Sequence, residues 1–169
     1  MELKNKIRAI ENYPKEGVIF RDITTLLKDK DAFKKAVDEM AEKIDKDVDK
    51  IIGIEARGFI FASALAYKLD KGFIPVRKPG KLPWDKERES YELEYGEDSI
   101  EIHKDAIEAG EKIVIVDDLL ATGGTAKACV KLVEKLKGKV SSAIFLVELE
   151  DLKGREILEG TKVESIIKY

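Results

Sequence analysis

Residues 112–126, Lys-Ile-Val-Ile-Val-Asp-Asp-Leu-Leu-Ala-Thr-Gly-Gly-Thr-Ala, constrain this chain more than any other stretch. Ile113, Val114, Ile115 and Val116 form a β-branched run suited to one strand buried on both faces, and the run ends on two adjacent carboxylates, Asp117 and Asp118. A loop of small residues follows, and 127–136 then carry Val130, Val133 and Leu136 at helical spacing. Strand, glycine-rich turn and helix is how α/β proteins build a phosphate cradle. Gly123 and Gly124 allow close backbone approach, Thr122 and Thr125 offer hydroxyls, and the helix start supplies unpaired N–H groups.

The commoner cradles are absent. The chain has no Gly-x-x-x-x-Gly-Lys-Ser/Thr and no Gly-x-Gly-x-x-Gly. Here the acids come first and the phosphate loop second, an order that suits a ligand whose hydroxyls lie one sugar length from a monophosphate. The stretch 114–125 resembles the phosphoribosyl-diphosphate (PRPP) signature of the type I phosphoribosyltransferases. That resemblance implies an α/β fold with a central, mostly parallel sheet flanked by helices, an N-terminal hood and a mobile lid loop. It also implies that Ala121, Thr122, Gly123, Gly124 and Thr125 hold the 5′-phosphate, and that Asp117 and Asp118 contact the ribose hydroxyls.

Length and composition agree with one domain, 1–169, with its own core. Charged residues make up 38% of the chain but nearly cancel at formal net charge −3, which argues against a nucleic-acid-coating protein. Cys129 is the only cysteine, so no intrachain disulfide forms, and one Cys with one His cannot build a structural zinc site. No apolar run approaches a membrane span or a signal peptide, so the expectation is a soluble, cytoplasmic protein without membrane or nucleic-acid partners.

Taken in order, Leu3, Ile7 and Ile10 are spaced for a short helix that ends at Asn12-Tyr13-Pro14. In 13–27, Pro and Gly break both periods, yet Val18, Ile19 and Phe20 are too apolar for a free loop. The residues alone leave two readings, an arm tucked over a core or a hood (1–30) whose Phe20 ring stacks on a base. The segment resembles the adenine-recognition stretch of adenine phosphoribosyltransferases, in which Ile19 and Arg21 would read the base edge through their backbone.

Residues 31–44 form an amphipathic helix with Phe33, Val37, Met40 and Ile44 on one face. A short buried strand at 51–54 leads to Glu55-Ala56-Arg57-Gly58, at the strand end where open α/β sheets place ligands. By resemblance this is the pyrophosphate loop, with Arg57 and the backbone at Gly58 facing the diphosphate; Glu-Ala replaces the family's Asp-Ser. Residues 59–69, apolar on nearly every side, read as a buried helix. A strand at 73–77 follows, with a kink or edge position at Pro75.

The breaker-rich stretch 78–90 reads either as a solvated hairpin loop or as the family's lid, 78–95, with Arg77, Lys78 and Lys81 available to the diphosphate. Residues 91–95 alternate as a strand, turn at 96–98, and return at 99–102. Ser-Tyr-x-Leu-Glu-Tyr-Gly resembles the motif carrying the family's catalytic carboxylate, which maps to Glu94. His103, the only histidine, is read as structural. A strand at 140–147 precedes Leu149, which by resemblance is an apolar wall for the base, and a last strand occupies 163–167.

The resemblance implies conversion of adenine and PRPP to AMP and pyrophosphate. Mg²⁺ would be held mainly by PRPP, with help from Asp117 and Asp118, in a homodimer. Two alternatives stand beside it: transfer to another purine such as hypoxanthine, or a non-catalytic PRPP-sensing regulator. The regulator would need a DNA-binding segment, whereas the motifs begin by Tyr13, and it would have no use for Glu94 or the Phe20 segment.

Overall fold

The computed structural model describes residues 1–93 and 95–169. They form two compact units, Met1–Glu39 and Met40–Tyr169.

The first unit opens with a single 3-10 turn, Leu3–Lys6, and then a hairpin of β1 (Arg8–Glu11) and β2 (Ile19–Asp22). The helix expected through Ile7 and Ile10 does not form: Ile7 is already extended, and Ile10 stands opposite Phe20 in the ladder. An isolated helix this short is marginal, whereas the 12–17 turn returns a partner strand. Asn12 supplies that turn with a positive φ and accepts the Gly17 N–H on its side chain at 2.9 Å. Asp22 ties the hairpin to α1 (Thr24–Leu27) by accepting bonds from Thr24 Oγ1 at 2.7 Å and Arg8 Nε at 2.9 Å. These bonds, Thr24's the larger, lower its carboxyl to about pH 2. Helix α2 (Lys30–Glu42) begins in this unit; of its expected face Val37, Met40 and Ile44 are buried and Phe33 half-buried, and Ala32 and Ala36 widen the buried stripe.

The second unit contains β3 (Lys50–Ile54), α3 (Arg57–Leu69), β4 (Gly72–Val76), β5 (Lys86–Glu92), β6 (Glu97–His103), β7 (Lys112–Leu120), α4 (Gly124–Lys135), β8 (Lys139–Glu148), α5 (Gly154–Ile157) and β9 (Val163–Lys168). Five strands form one sheet in the order β4-β3-β7-β8-β9, parallel throughout. Strand β7 is central, and Ile113 to Val116 are fully buried, which is why the run lacks polar alternation. Pro75 sits on the edge strand β4, where its missing N–H costs no ladder bond.

The two faces are covered differently. Ile52, Ile54, Ile113, Ile115 and Phe145 pack with Cys129, Val130 and Val133 of α4 and with Ile100 and Ile102 of β6. On the opposite face α3 lies so close that a Cβ on Gly53 would come within 2.7 Å of the Ala62 Cβ. Helix α3 is not buried all round, however: Ile60, Ser63 and Tyr67 share an outward face, and Tyr67 is 92% exposed. The stretch expected as a long loop is half strand, since β5 pairs antiparallel with β6 from Lys86 to Glu92. Because the five strands run one way, the residues after β3, β4, β7 and β8 emerge at a single sheet edge.

Candidate active site

Strand β7 continues two residues past the acids, so Asp117 and Asp118 lie within it rather than beyond its end. Alternation sends them to opposite faces. Asp118 is buried, and its Oδ2 lies 3.0 Å from Arg57 Nε at the start of α3. Asp117 faces the α4 side and accepts the Asp118 N–H on Oδ1 at 2.8 Å. Burial, and after it the adjacent charge of Asp118, holds the Asp117 carboxyl well above the usual range. Gly58 makes the approach possible, since a Cβ there would stand 2.8 Å from Asp117 Oδ1 and 3.1 Å from the Val116 carbonyl oxygen.

The turn between β7 and α4 encloses a cavity of about 80 Å³ lined by Asp117, Ala121, Thr122, Gly123, Gly124 and Thr125. Gly123 carries φ +90°, and α4 starts at the next residue, so the first N–H groups of a twelve-residue helix serve this cavity. The turn rests on α5. A Cβ on Gly123 would fall 2.5 Å from Ile157 Cγ2 and 2.7 Å from the Gly154 carbonyl oxygen, and one on Gly154 would fall 2.5 Å from the Ala121 carbonyl oxygen. Helix α5 is fastened in turn by Arg155, whose Nε and Nη2 donate to the buried Glu148 at 2.7 and 2.9 Å. Ser165 Oγ donates to the same carboxylate at 2.6 Å. Sequence reasoning missed this platform; its one signal was Gly154-Arg155 after a strand ending in Glu148.

Of the cations expected around the diphosphate, Arg57, Arg77 and Lys78 are already engaged by protein. Arg77 Nε donates to Glu55 Oε1 at 2.6 Å, giving the Glu that replaces the family's Asp a definite task. The Glu55–Ala56 peptide is cis. Lys78 bonds Tyr91 and Asp98. Lys81 is exposed. Leu149, half-buried at the end of β8, donates its N–H to the Leu120 carbonyl at 3.0 Å and so stands beside the β7 end. His103 has a structural contact, accepting the Trp84 N–H at 3.3 Å. Glu94 lies outside the described residues.

In the first unit, Ile19 and Arg21 point to one side of β2 and Phe20 to the other, where its ring meets Tyr13 edge-on at 5.3 Å. Strand β2 pairs only with β1 among the described strands, which leaves its second edge of backbone groups outside any ladder.

A parallel sheet with adjacent acids in its central strand and a glycine-rich helix start directly after them is the arrangement that the resemblance to the phosphoribosyltransferases implies. The phosphoribosyl transferase domain family matches residues 24–166. A relative from Halothermothrix orenii, named adenine phosphoribosyltransferase, is 59% identical over 169 residues and covers 99% of both chains. The adenine phosphoribosyltransferase structure from Thermoanaerobacter pseudethanolicus is similar at 53% identity with TM-score 0.96, covering 99% of this chain and 98% of that one. The Saccharomyces cerevisiae enzyme, solved with adenine and an imino-altritol bisphosphate, is 41% identical with TM-score 0.90 and coverage of 98% and 96%. The chain belongs to the adenine phosphoribosyltransferase family.

Proposed function

We propose that this chain transfers the phosphoribosyl group of PRPP to N9 of adenine, releasing AMP and pyrophosphate. The observation that carries the reading is the Asp117–Asp118 pair beside the small cavity at the start of α4. A 5′-phosphate in that cavity puts a ribose beside Asp117, which lines it, and close to its neighbour Asp118.

The bond from the anomeric carbon to diphosphate breaks as the bond to N9 forms, leaving cationic character on the ribose ring. Asp117 and Asp118 orient its hydroxyls. Arg57 and the 55–58 backbone meet the departing diphosphate, joined by Arg77, Lys78 and Lys81. Glu94 handles the proton at the purine edge. Ile19, Phe20 and Arg21 select the base, and Leu149 adds an apolar contact. The lid, 78–95 by resemblance, excludes water while the cation exists.

Among the described residues no group of three or more His, Cys, Asp or Glu is arranged to hold a metal ion. Two adjacent carboxylates beside a polyanionic substrate suit a metal carried by that substrate. Mg²⁺ on the diphosphate and ribose oxygens would supply charge neutralisation to the leaving group, with Asp117 and Asp118 as its protein contacts.

The proposal includes a homodimer, supported by the outward Ile60, Ser63 and Tyr67 of α3 and by Phe73 on the neighbouring edge strand. No helix among the described residues is long and apolar enough to cross a membrane. A cytoplasmic location is proposed because PRPP, a polyanion, stays where it is made.

Initial rates with PRPP, Mg²⁺ and each purine test the reading. Backbone groups matched to an amino purine are left unpaired by a carbonyl one, so adenine should exceed hypoxanthine and guanine by at least about 10²-fold in kcat/KM. Comparable rates with hypoxanthine would remove the adenine assignment.

A further inference from the structure

Lys78 stands at the exit of the edge strand β4, where the proposed function wants a cation, yet its ammonium has partners. It donates to Tyr91 Oη at 3.1 Å and to Asp98 Oδ2, and Tyr91 Oη donates to the same Asp98 oxygen at 3.1 Å. The other Asp98 oxygen accepts the Ser99 N–H at 2.8 Å. Three elements therefore converge on one charge: the β4 exit, β5 and β6. The Tyr91 ring also covers the start of α4, since a Cβ on Gly124 would lie 3.3 Å from Tyr91 Cδ2. One aromatic ring thus joins the hairpin, the cation and the helix that begins the phosphate loop.

Both charges remain partly wet, with side-chain exposures of 40% for Lys78 and 33% for Asp98. Such a pair is worth little and exchanges partners readily. A diphosphate drawing on the same ammonium brings several negative charges against Asp98, and like charges that close repel.

We propose that Asp98 is a positioning residue that competes with the diphosphate of PRPP for Lys78. The ligand-free enzyme holds the ammonium on Asp98 and Tyr91; bound PRPP draws it away, while the backbone bridge between Arg77 and Glu101 keeps the β5–β6 hairpin on the β4 exit. This rests on the reading of Lys78 as a PRPP contact. Lys78 and Asp98 pull in the directions the competition requires. Burial works to lower the Lys78 pKa, but the bonds to Asp98 and Tyr91 outweigh it and leave it raised. The bond from Lys78 lowers the Asp98 carboxyl.

The test measures PRPP affinity, by calorimetry with Mg²⁺ present, and steady-state kinetics for wild type, Asp98→Asn, Lys78→Gln and the double variant. An exposed pair worth up to about 1 kcal/mol translates to a roughly two- to fivefold lower Kd and KM for PRPP in Asp98→Asn, with kcat within about twofold. In the Lys78→Gln background the same substitution should change Kd by less than about 1.5-fold, because no ammonium remains to compete for. Asp98→Ser, with a thermal melt, guards against a folding artefact and should behave as Asp98→Asn. Unchanged or weaker PRPP binding in both Asp98 variants overturns the proposal, as does equal tightening with and without Lys78. If Lys78→Gln binds PRPP like wild type, Lys78 is no ligand and the competition falls, while wild-type turnover of adenine still stands or fails separately.

Discussion

The β7–α4 turn and the β5–β6 hairpin both border the proposed site, and they are held by different forces. The turn is wedged by backbone: Gly123 against the Gly154 carbonyl and Ile157, Gly58 against Asp117, and a strand of fully buried side chains behind them. In the hairpin, β6 is anchored by the buried Ile100 and Ile102, while β5 is held by its ladder to β6, by Tyr91 against the start of α4 and by ion pairs whose cations stay half exposed. Glu89 lies 2.6 Å from Lys135 and 4.0 Å from Lys131, and Arg88 lies 3.4 Å from Glu101, with the cations about half exposed. A half-exposed cation can change partners, whereas close-packed glycine contacts leave no room to move. The phosphate end of the site is fixed by packing, and the β5 arm beside it depends more on polar contacts that a ligand can re-partner.

The largest expected effect falls on the fixed region. Asp117→Asn with Asp118→Asn should abolish turnover while leaving a cooperative fold. Asp117→Asn alone should melt higher than wild type at neutral pH. A carboxyl with a raised folded pKa contributes stability fully present below its unfolded pKa and lost as pH rises through the folded one, and the amide removes that loss. A double variant that fails to unfold cooperatively would show the acids to be structural.

Next comes Glu94, which by sequence belongs to the hairpin connection. If the movable arm brings chemistry and not only cover, Glu94→Gln should lower kcat by roughly 10²-fold with little change in either KM. Single-turnover chemistry at the wild-type rate would remove it from the site. Third, Gly123→Ala should cost about 3 kcal/mol or more, combining a positive φ with a Cβ that has no space, and should raise the KM for PRPP. A chemical-denaturation midpoint equal to wild type would mean the turn is looser than its packing indicates.

The same contrast governs what could be read from the sequence. The β7–α4 stretch was legible because a doubly buried strand and a backbone-built cradle both write themselves as composition, β-branched then small. The mostly parallel sheet was expected from the resemblance alone, and the order β4-β3-β7-β8-β9 had no signal in the sequence. The hairpin was read as a loop up to residue 90, since Lys86-Glu87-Arg88-Glu89 offers charge on both faces, and the pairing comes from β6 and the lysines of α4. The first strand was read as helix for a similar reason: Leu3, Ile7 and Ile10 fit a helical face, but the partner that overrides them arrives through Asn12 and Gly17. Long-range polar contacts, such as Glu55 on Arg77 and Glu148 on Arg155, had no local signature.

The contrast itself is tested most directly by amide hydrogen exchange on the intact protein, with and without PRPP and Mg²⁺. A fixed cradle and a re-placeable arm predict slow exchange in β7 in both states. They predict fast exchange in peptides covering 79–92 without ligand, and marked slowing there when PRPP is bound. Equal protection of 79–92 and β7 in the free protein, unchanged by PRPP and Mg²⁺, would contradict the account.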